Sequence, residues 1–173
     1  MQKNNLVKPE LLAPAGDLER LKMAFLYGAD AVYCGVPQYG MRVKAIGFDL
    51  KSLAKGIEYA HDLGKKIYVT VNIFAHNDDL VGVKKFLKKL NLLAPDALIV
   101  ADPGILQIIK EEKIKIPIHI STQANITNWQ AVKYWLKQGA DQLVLARELS
   151  QKEIKEINYK VPKAKLEMFV HGA

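Results

Sequence analysis

Polar side chains recur along this chain, each placed just after a short apolar run. They are Asn72, Asp102, Gln123 with Asn125, Arg147 with Glu148, and His171; Glu167 lies inside the last run. These types cover much of what an enzyme site needs. Carboxylates and imidazoles move protons, carboxamides orient ligands, and a guanidinium grips a carboxylate or phosphate through paired hydrogen bonds. His171, Glu167, Asn72 and Asp102 are the candidates for catalytic work. Gln123, Asn125, Arg147 and Glu148 are the candidates for binding substrate. Each has a plainer role open to it. Asp102, like Asp17, sits where a helix N-cap belongs. Asn72 and Gln123 would satisfy loop backbone, and Arg147 would pair locally with Glu148. His171 would be inert, and Glu167, if inward-facing, would need a partner. His61 reads as a helix-surface residue, and His119 as a core or interface histidine partnered inside its strand. Cys34 reads as a small core residue with no base beside it.

Strands and helices must alternate to place these groups. Candidate strands are Glu10–Ala13, Ala31–Cys34, Ile67–Asn72, Ala97–Ala101, Ile118–Thr122, Gln142–Ala146 and Leu166–Val170. Runs such as Ala97-Leu98-Ile99-Val100-Ala101 lack polar alternation, as parallel strands buried on both faces do. Between them lie amphipathic segments. Leu80, Val83, Phe86, Leu87, Leu90 and Leu93 make one face, opposite Lys84, Lys85, Lys88 and Lys89. Ser150-Gln151-Lys152-Glu153 is a capping box, and Asp102-Pro103 is a capped start with proline at the first helical position. Gly28, Gly64 and Gly139 stand where left-handed C-caps are needed. The segment Tyr27-Gly28-Ala29-Asp30-Ala31-Val32 is echoed by Gln138-Gly139-Ala140-Asp141-Gln142-Leu143, and loosely by Pro95-Asp96-Ala97-Leu98.

The fold expected is α/β: one domain over residues 1–173, a (β/α) TIM-type barrel with about seven of eight strands, incomplete at the C-terminus. A doubly wound sheet would require the strand order to reverse somewhere. In a barrel the polar residues share the rim at the carboxyl ends of the strands, where barrel enzymes keep their sites.

Composition narrows the class. Half of the 173 residues are hydrophobic and a quarter are charged, ordinary values for a globular protein. No apolar run is long enough to cross a bilayer and the first residues lack a signal-peptide core, so a cytoplasmic protein without membrane partners is expected. Cys34 is the one cysteine, which leaves this chain alone no disulfide and no thiolate metal cluster. The net charge of +7 favours polyanions such as RNA. It also fits lysine-rich helix exteriors, because no dense basic run stands out. Glycine-rich phosphate loops, H-E-x-x-H and G-x-S-x-G are absent. The residues by themselves describe a barrel enzyme with its reaction unassigned.

Five stretches resemble peptidase family U32, the collagenase-like proteins. They are Pro9-Glu10-Leu11-Leu12-Ala13-Pro14-Ala15-Gly16, Tyr27-Gly28-Ala29-Asp30-Ala31-Val32-Tyr33-Cys34-Gly35, Ser121-Thr122-Gln123-Ala124-Asn125, Leu145-Ala146-Arg147-Glu148-Leu149-Ser150 and Glu167-Met168-Phe169-Val170-His171-Gly172-Ala173. The resemblance implies oxygen-independent hydroxylation, with prephenate as hydroxyl donor and a 4Fe-4S cluster held by cysteines. One branch of the family acts on RNA, at the wobble uridine of tRNA or a cytidine of large-subunit ribosomal RNA; another acts on the ubiquinone ring. The stretches at Arg147 and Phe169, with Tyr39-Gly40-Met41-Arg42-Val43-Lys44, are most similar to the tRNA branch. By that resemblance tRNA and prephenate are partners. Arg147 and Arg42 would take the two carboxylates of prephenate, and Gln123, Asn125 and Asn72 would orient base or donor.

The last stretch resembles the opening of a signature whose cluster cysteines follow it. The cluster is therefore expected in the full-length protein, on cysteines after Ala173, together with an eighth strand and a later RNA-handling region. This chain alone is expected to be inert. Alternative readings are a ubiquinone-ring or ribosomal-RNA hydroxylase, a non-catalytic binding module, and a protease as the family name states. A protease needs a nucleophile with its base or a metal-bound water, and no such constellation is visible.

Overall fold

The computed structural model describes residues 8–40 and 47–171. Among them strands and helices alternate: β1 (Leu12–Pro14), α1 (Leu18–Leu26), β2 (Ala31–Gly35), α2 (Leu50–Asp62), β3 (Lys66–Val71), α3 (Asn77–Leu93), β4 (Ala97–Val100), α4 (Pro103–Glu111), β5 (Ile118–Ile120), α5 (Trp129–Lys137), β6 (Gln142–Val144), α6 (Gln151–Lys160) and β7 (Leu166–Glu167). Every strand pairs in parallel with the next in sequence, from β1 to β7 without reversal. That order excludes a doubly wound sheet. The sheet curls, because residues at the carboxyl ends of both β1 and β7 face one cavity. Among the described residues β1 and β7 are not paired, so the expected seven-stranded barrel stands open between them.

Two cores follow from the alternation of side chains along each strand. Val32, Val69, Leu98, Val100 and Ile120 belong to the core under the helices, with Leu21, Leu53, Leu87 and Ile105. Ala31, Tyr68, Ala97 and Ile99 form the other, with Leu12 and Tyr33 packed against them. Both faces are dry, which is why β4 is an unbroken apolar run.

The expected caps form. Asp17 accepts the Arg20 N–H at 2.8 Å, Asp102 accepts the Ile105 N–H at 3.0 Å, and Ser150 and Glu153 bond reciprocally. Gly28, Gly64 and Gly139 all lie in the left-handed region, at φ of +99°, +63° and +92°. Some strand ends differ from the sequence bounds. β5 stops at Ile120 because the Ser121 hydroxyl accepts the Gln123 N–H at 3.3 Å and turns Thr122–Ala124 into a 3-10 helix. β7 pairs with β6 only over Leu166 and Glu167.

The sequence echo has a physical meaning. Asp30 accepts the Leu11 N–H at 2.9 Å, Asp96 accepts the Ile67 N–H at 2.9 Å, and Asp141 accepts the Ile118 N–H at 2.8 Å. Each aspartate returns its own N–H to the carbonyl of that same residue, at 2.9, 3.0 and 2.8 Å. The chain entering β2, β4 and β6 is thereby stapled to the strand before it. The loose copy fits too, since Ala94 takes the left-handed turn, at φ 53°, that glycine takes in the other two. The Leu11 amide, with help from Lys8 and Lys65, holds the Asp30 carboxyl below its usual range.

Asp96→Ala leaves the Ile67 amide without its acceptor and should destabilise the protein by about 1.5–2 kcal/mol. Asp96→Asn, which keeps a carbonyl oxygen in place, should lose much less. Urea unfolding of both variants checks this, and equal losses would contradict the staple.

Candidate functional site

A cavity of about 260 Å³ opens at the carboxyl ends of the strands. Its wall takes Pro14 and Gly16 from the end of β1, Tyr33 and Gly35 from β2, Thr70 from β3 and Asn72 just after it, Ser121 and Gln123 after β5, Arg147 after β6, and Glu167 and Phe169 from β7 and the segment beyond it. Alternation along β3 accounts for one side of this wall, since Thr70 and Asn72 continue the row begun by Tyr68. Gly35 must be glycine here: a Cβ would stand 2.5 Å from the Thr70 hydroxyl. The chain after β2 folds back over the rim, held by Tyr39, which is buried and stacked on Phe86 with ring centres 4.5 Å apart.

Four of the sequence candidates meet in this cavity. Asn72 donates through Nδ2 to the Ser121 hydroxyl at 3.5 Å, a long bond. Gln123 lines the wall, and its Oε1 is buried with no hydrogen-bond partner among the described residues. Arg147 makes no ion pair with Glu148 among the described residues; its guanidinium lies over the Phe169 ring, 4.3 Å from the centroid. Glu167 is half-buried and accepts from Gln142 Nε2 at 2.8 Å, the partner that an inward carboxylate needs. Burial raises the Glu167 pKa; the Gln142 bond opposes this rise and the Glu10 charge adds to it.

The remaining candidates lie elsewhere. Asp102 is spent on capping α4 and does not line the cavity. Asn125 is exposed and ends the 3-10 helix in the left-handed region at φ 51°, a conformation asparagine tolerates. Glu148 and His171 are exposed and off the wall. Arg42 lies outside the described residues. Sequence reasoning passed over Ser121, Thr70 and Tyr33 as site residues. For Thr70 the signal was available, in its even spacing from Asn72.

Polar groups also gather at the opposite, amino-terminal ends of the strands. Glu10 accepts from the Tyr68 hydroxyl at 2.5 Å and pairs with Lys66 at 2.6 Å. Burial, and then the bond to Glu10, push the Tyr68 pKa up. His119 corrects its expectation. It is buried as expected, but its Nδ1 has no hydrogen-bond partner among the described residues, and its ring meets Tyr68 edge-on at 4.6 Å. The inward side of β5 offers it an aromatic neighbour instead of a polar one. Burial lowers its pKa to about 4. His61 is on the surface as expected, with Nε2 3.1 Å from Asp96.

Chemically, the wall can hold an anion at Arg147, orient a ligand through neutral amides, and hold a proton at Glu167. It offers no activated thiol. Cys34 is buried and its pKa is pushed up to about 12 by that burial. Among the described residues no three metal-ligating side chains gather. One cysteine also does not fit an iron–sulfur cluster, which needs several thiolates.

A family model described as Peptidase family U32 matches residues 16–173. The chain is 49% identical over 168 residues to tRNA hydroxylation protein P of Escherichia coli, covering 97% of this chain and 37% of that protein. It is 40% identical over 164 residues to the 23S rRNA 5-hydroxycytidine synthase of Escherichia coli, covering 95% of this chain and 24% of that protein. It therefore spans little more than a third of the first relative's length and about a quarter of the second's. Among solved structures, the U32 peptidase Mk0906 superposes with a TM-score of 0.76 over 97% of this chain and 71% of that one; at 15% identity this match supports the fold alone.

Proposed function

Because the chain belongs to peptidase family U32, we propose that it is the barrel portion of an RNA-modifying enzyme that hydroxylates the wobble uridine of tRNA. The observation that carries this reading is the 49% identity, across 97% of the chain, to a protein named for tRNA hydroxylation. The rim is consistent with it. Arg147, stacked on Phe169 and free of a carboxylate among the described residues, is set to grip a carboxylate of prephenate as the hydroxyl donor. Arg42 would take the second carboxylate. Asn72 and Gln123 would orient base or donor. Glu167, with its raised pKa, holds its proton at higher pH than an ordinary glutamate and would be the acid of the site. His171, Asp102, Asn125 and Glu148 would act, if at all, from beyond the cavity wall.

The 4Fe-4S cluster would sit on cysteines outside this chain, and when bound would supply the electron-transfer chemistry. A protease reading finds less support, since among the described residues the cavity pairs no nucleophile with a base, and the thiol of Cys34 is held protonated.

The test is mass spectrometry of tRNA from cells lacking the gene. Loss of 5-hydroxyuridine is expected. Unchanged tRNA with a missing hydroxyl on ribosomal RNA or on the ubiquinone ring would transfer the reading to that substrate.

A further inference from the structure

Gln123 is held in an unusual state. The turn that carries it is fixed by its own hydrogen bonds. Ala124 N–H donates to the Ser121 carbonyl at 3.0 Å, Asn125 N–H to the Thr122 carbonyl at 3.0 Å, and the Thr122 hydroxyl to the Leu145 carbonyl at 3.2 Å. The Gln123 N–H is occupied by the Ser121 hydroxyl. The backbone is therefore satisfied and placed, while the side-chain carbonyl is buried without a donor among the described residues. A buried unpaired acceptor is a cost that folded proteins seldom leave uncompensated. The terminal torsion of a glutamine is broad and two-fold, so this acceptor turns into the cavity at little expense.

What would satisfy it is a ligand that brings an N–H or O–H donor to this wall. A carboxylate brings none, so the carboxylate gripped by Arg147 is not the partner of Gln123; the hydroxyl of prephenate is a donor too, but a single one. A carboxamide matches one shape best: an edge with a ring N–H beside a carbonyl, met by its oxygen and its NH₂ together. Flat rings carrying that edge are also what Tyr33 and Phe169, on the same wall, can stack against. The cavity is smaller than those that hold drug-sized ligands, and it suits a single base turned out of its strand.

We propose that Gln123 is a specificity residue that reads the Watson–Crick edge of the target pyrimidine, its carboxamide oxygen taking the N3 proton of the uracil ring. This rests on the RNA-hydroxylase reading above and deepens it. The wall divides its work: Gln123 selects the base, and Arg147, after the neighbouring strand, holds the anionic co-substrate.

The test uses the full-length protein and an anticodon stem-loop RNA carrying either uridine or 3-methyluridine at the wobble position, with affinities measured by fluorescence anisotropy at one fixed salt concentration. The unsubstituted protein should bind the uridine RNA about tenfold more tightly, because methylation removes the N3 donor. Gln123→Met, of similar size but without the acceptor, should bind both RNAs alike. Gln123→Glu, which keeps an acceptor, should retain the preference for uridine. Equal binding by the unsubstituted protein, or undiminished discrimination by Gln123→Met, overturns the role of Gln123 while leaving RNA hydroxylation standing. No binding of either RNA by the unsubstituted protein at low salt overturns both.

Discussion

On the proposed RNA-hydroxylase reading, replacing Arg147 by alanine should lower kcat/KM of the full-length protein about a hundredfold, roughly 2.7 kcal/mol of lost transition-state stabilisation. The reason lies in how the side chain is held. Its guanidinium is 4.3 Å above the Phe169 ring, which restrains it on the cavity wall, and no carboxylate among the described residues neutralises it. An unpaired, restrained arginine presents its donor fork to an incoming carboxylate with little ordering left to do. Arg147→Lys keeps the charge but gives up both the fork and the flat stack, so it should recover only part of the loss. Because Arg147 is exposed, neither change should move the melting temperature by more than about 2 °C. Kinetics at varied concentration of the proposed donor, prephenate, with melting curves alongside, make the measurement. A loss under threefold for the alanine variant would remove Arg147 from the site.

Acidification from neutral pH to pH 4 should take about 3 kcal/mol of stability from the protein through His119 alone. In the folded state this imidazole is buried and edge-on to Tyr68, and its pKa falls to about 4 from an ordinary value of 6.5. Burial dominates. Asp141 and Glu10 pull the pKa back up, and Lys165 and Lys66 push it further down. The unfolded chain takes up the proton near pH 6.5 and the folded one does not until about pH 4. The contribution of His119 is therefore fully present above pH 6.5 and is lost as pH falls between those values. At about 1.4 kcal/mol per pH unit, that interval, less the part recovered because the folded imidazole is itself half-protonated at pH 4, gives the figure above. Carboxylates titrate toward the lower end of the range, so the quantity to read is a difference. Urea unfolding at pH 7, 5.5 and 4.5, for the protein and for His119→Leu, should show a shallower decline in the variant. Parallel declines would mean that His119 is not kept neutral by the fold.

The strand–helix alternation was legible because it rests on local physics. A buried parallel strand must be apolar on both faces, as Ala97–Val100 is, and a helix must be capped, as Asp102 and Ser150 cap theirs. The glycine turns were legible for the same reason, since a left-handed φ favours a residue without a Cβ. The candidate site was legible by halves. Asn72, Gln123, Arg147 and Glu167 were visible as polar groups at strand ends, and they do share the cavity. Asp102 and Asn125 carry the same signature for a different reason, one capping a helix and the other turning a chain.

Residue types and their spacing thus determined the elements, their order, and a short list of groups for the rim. Tertiary structure decided which of those groups face one another. That depends on how the sheet curls and on which way each side chain points once its strand has a register, and neither is encoded within a few residues of the position concerned. It placed Phe169 beneath Arg147, left the acceptor of Gln123 without a donor among the described residues, and set the His119 ring against Tyr68. It also turned a faint repeat of glycine, alanine and aspartate into three staples between neighbouring strands, because only in the folded sheet does each aspartate meet an amide some twenty to thirty residues before it.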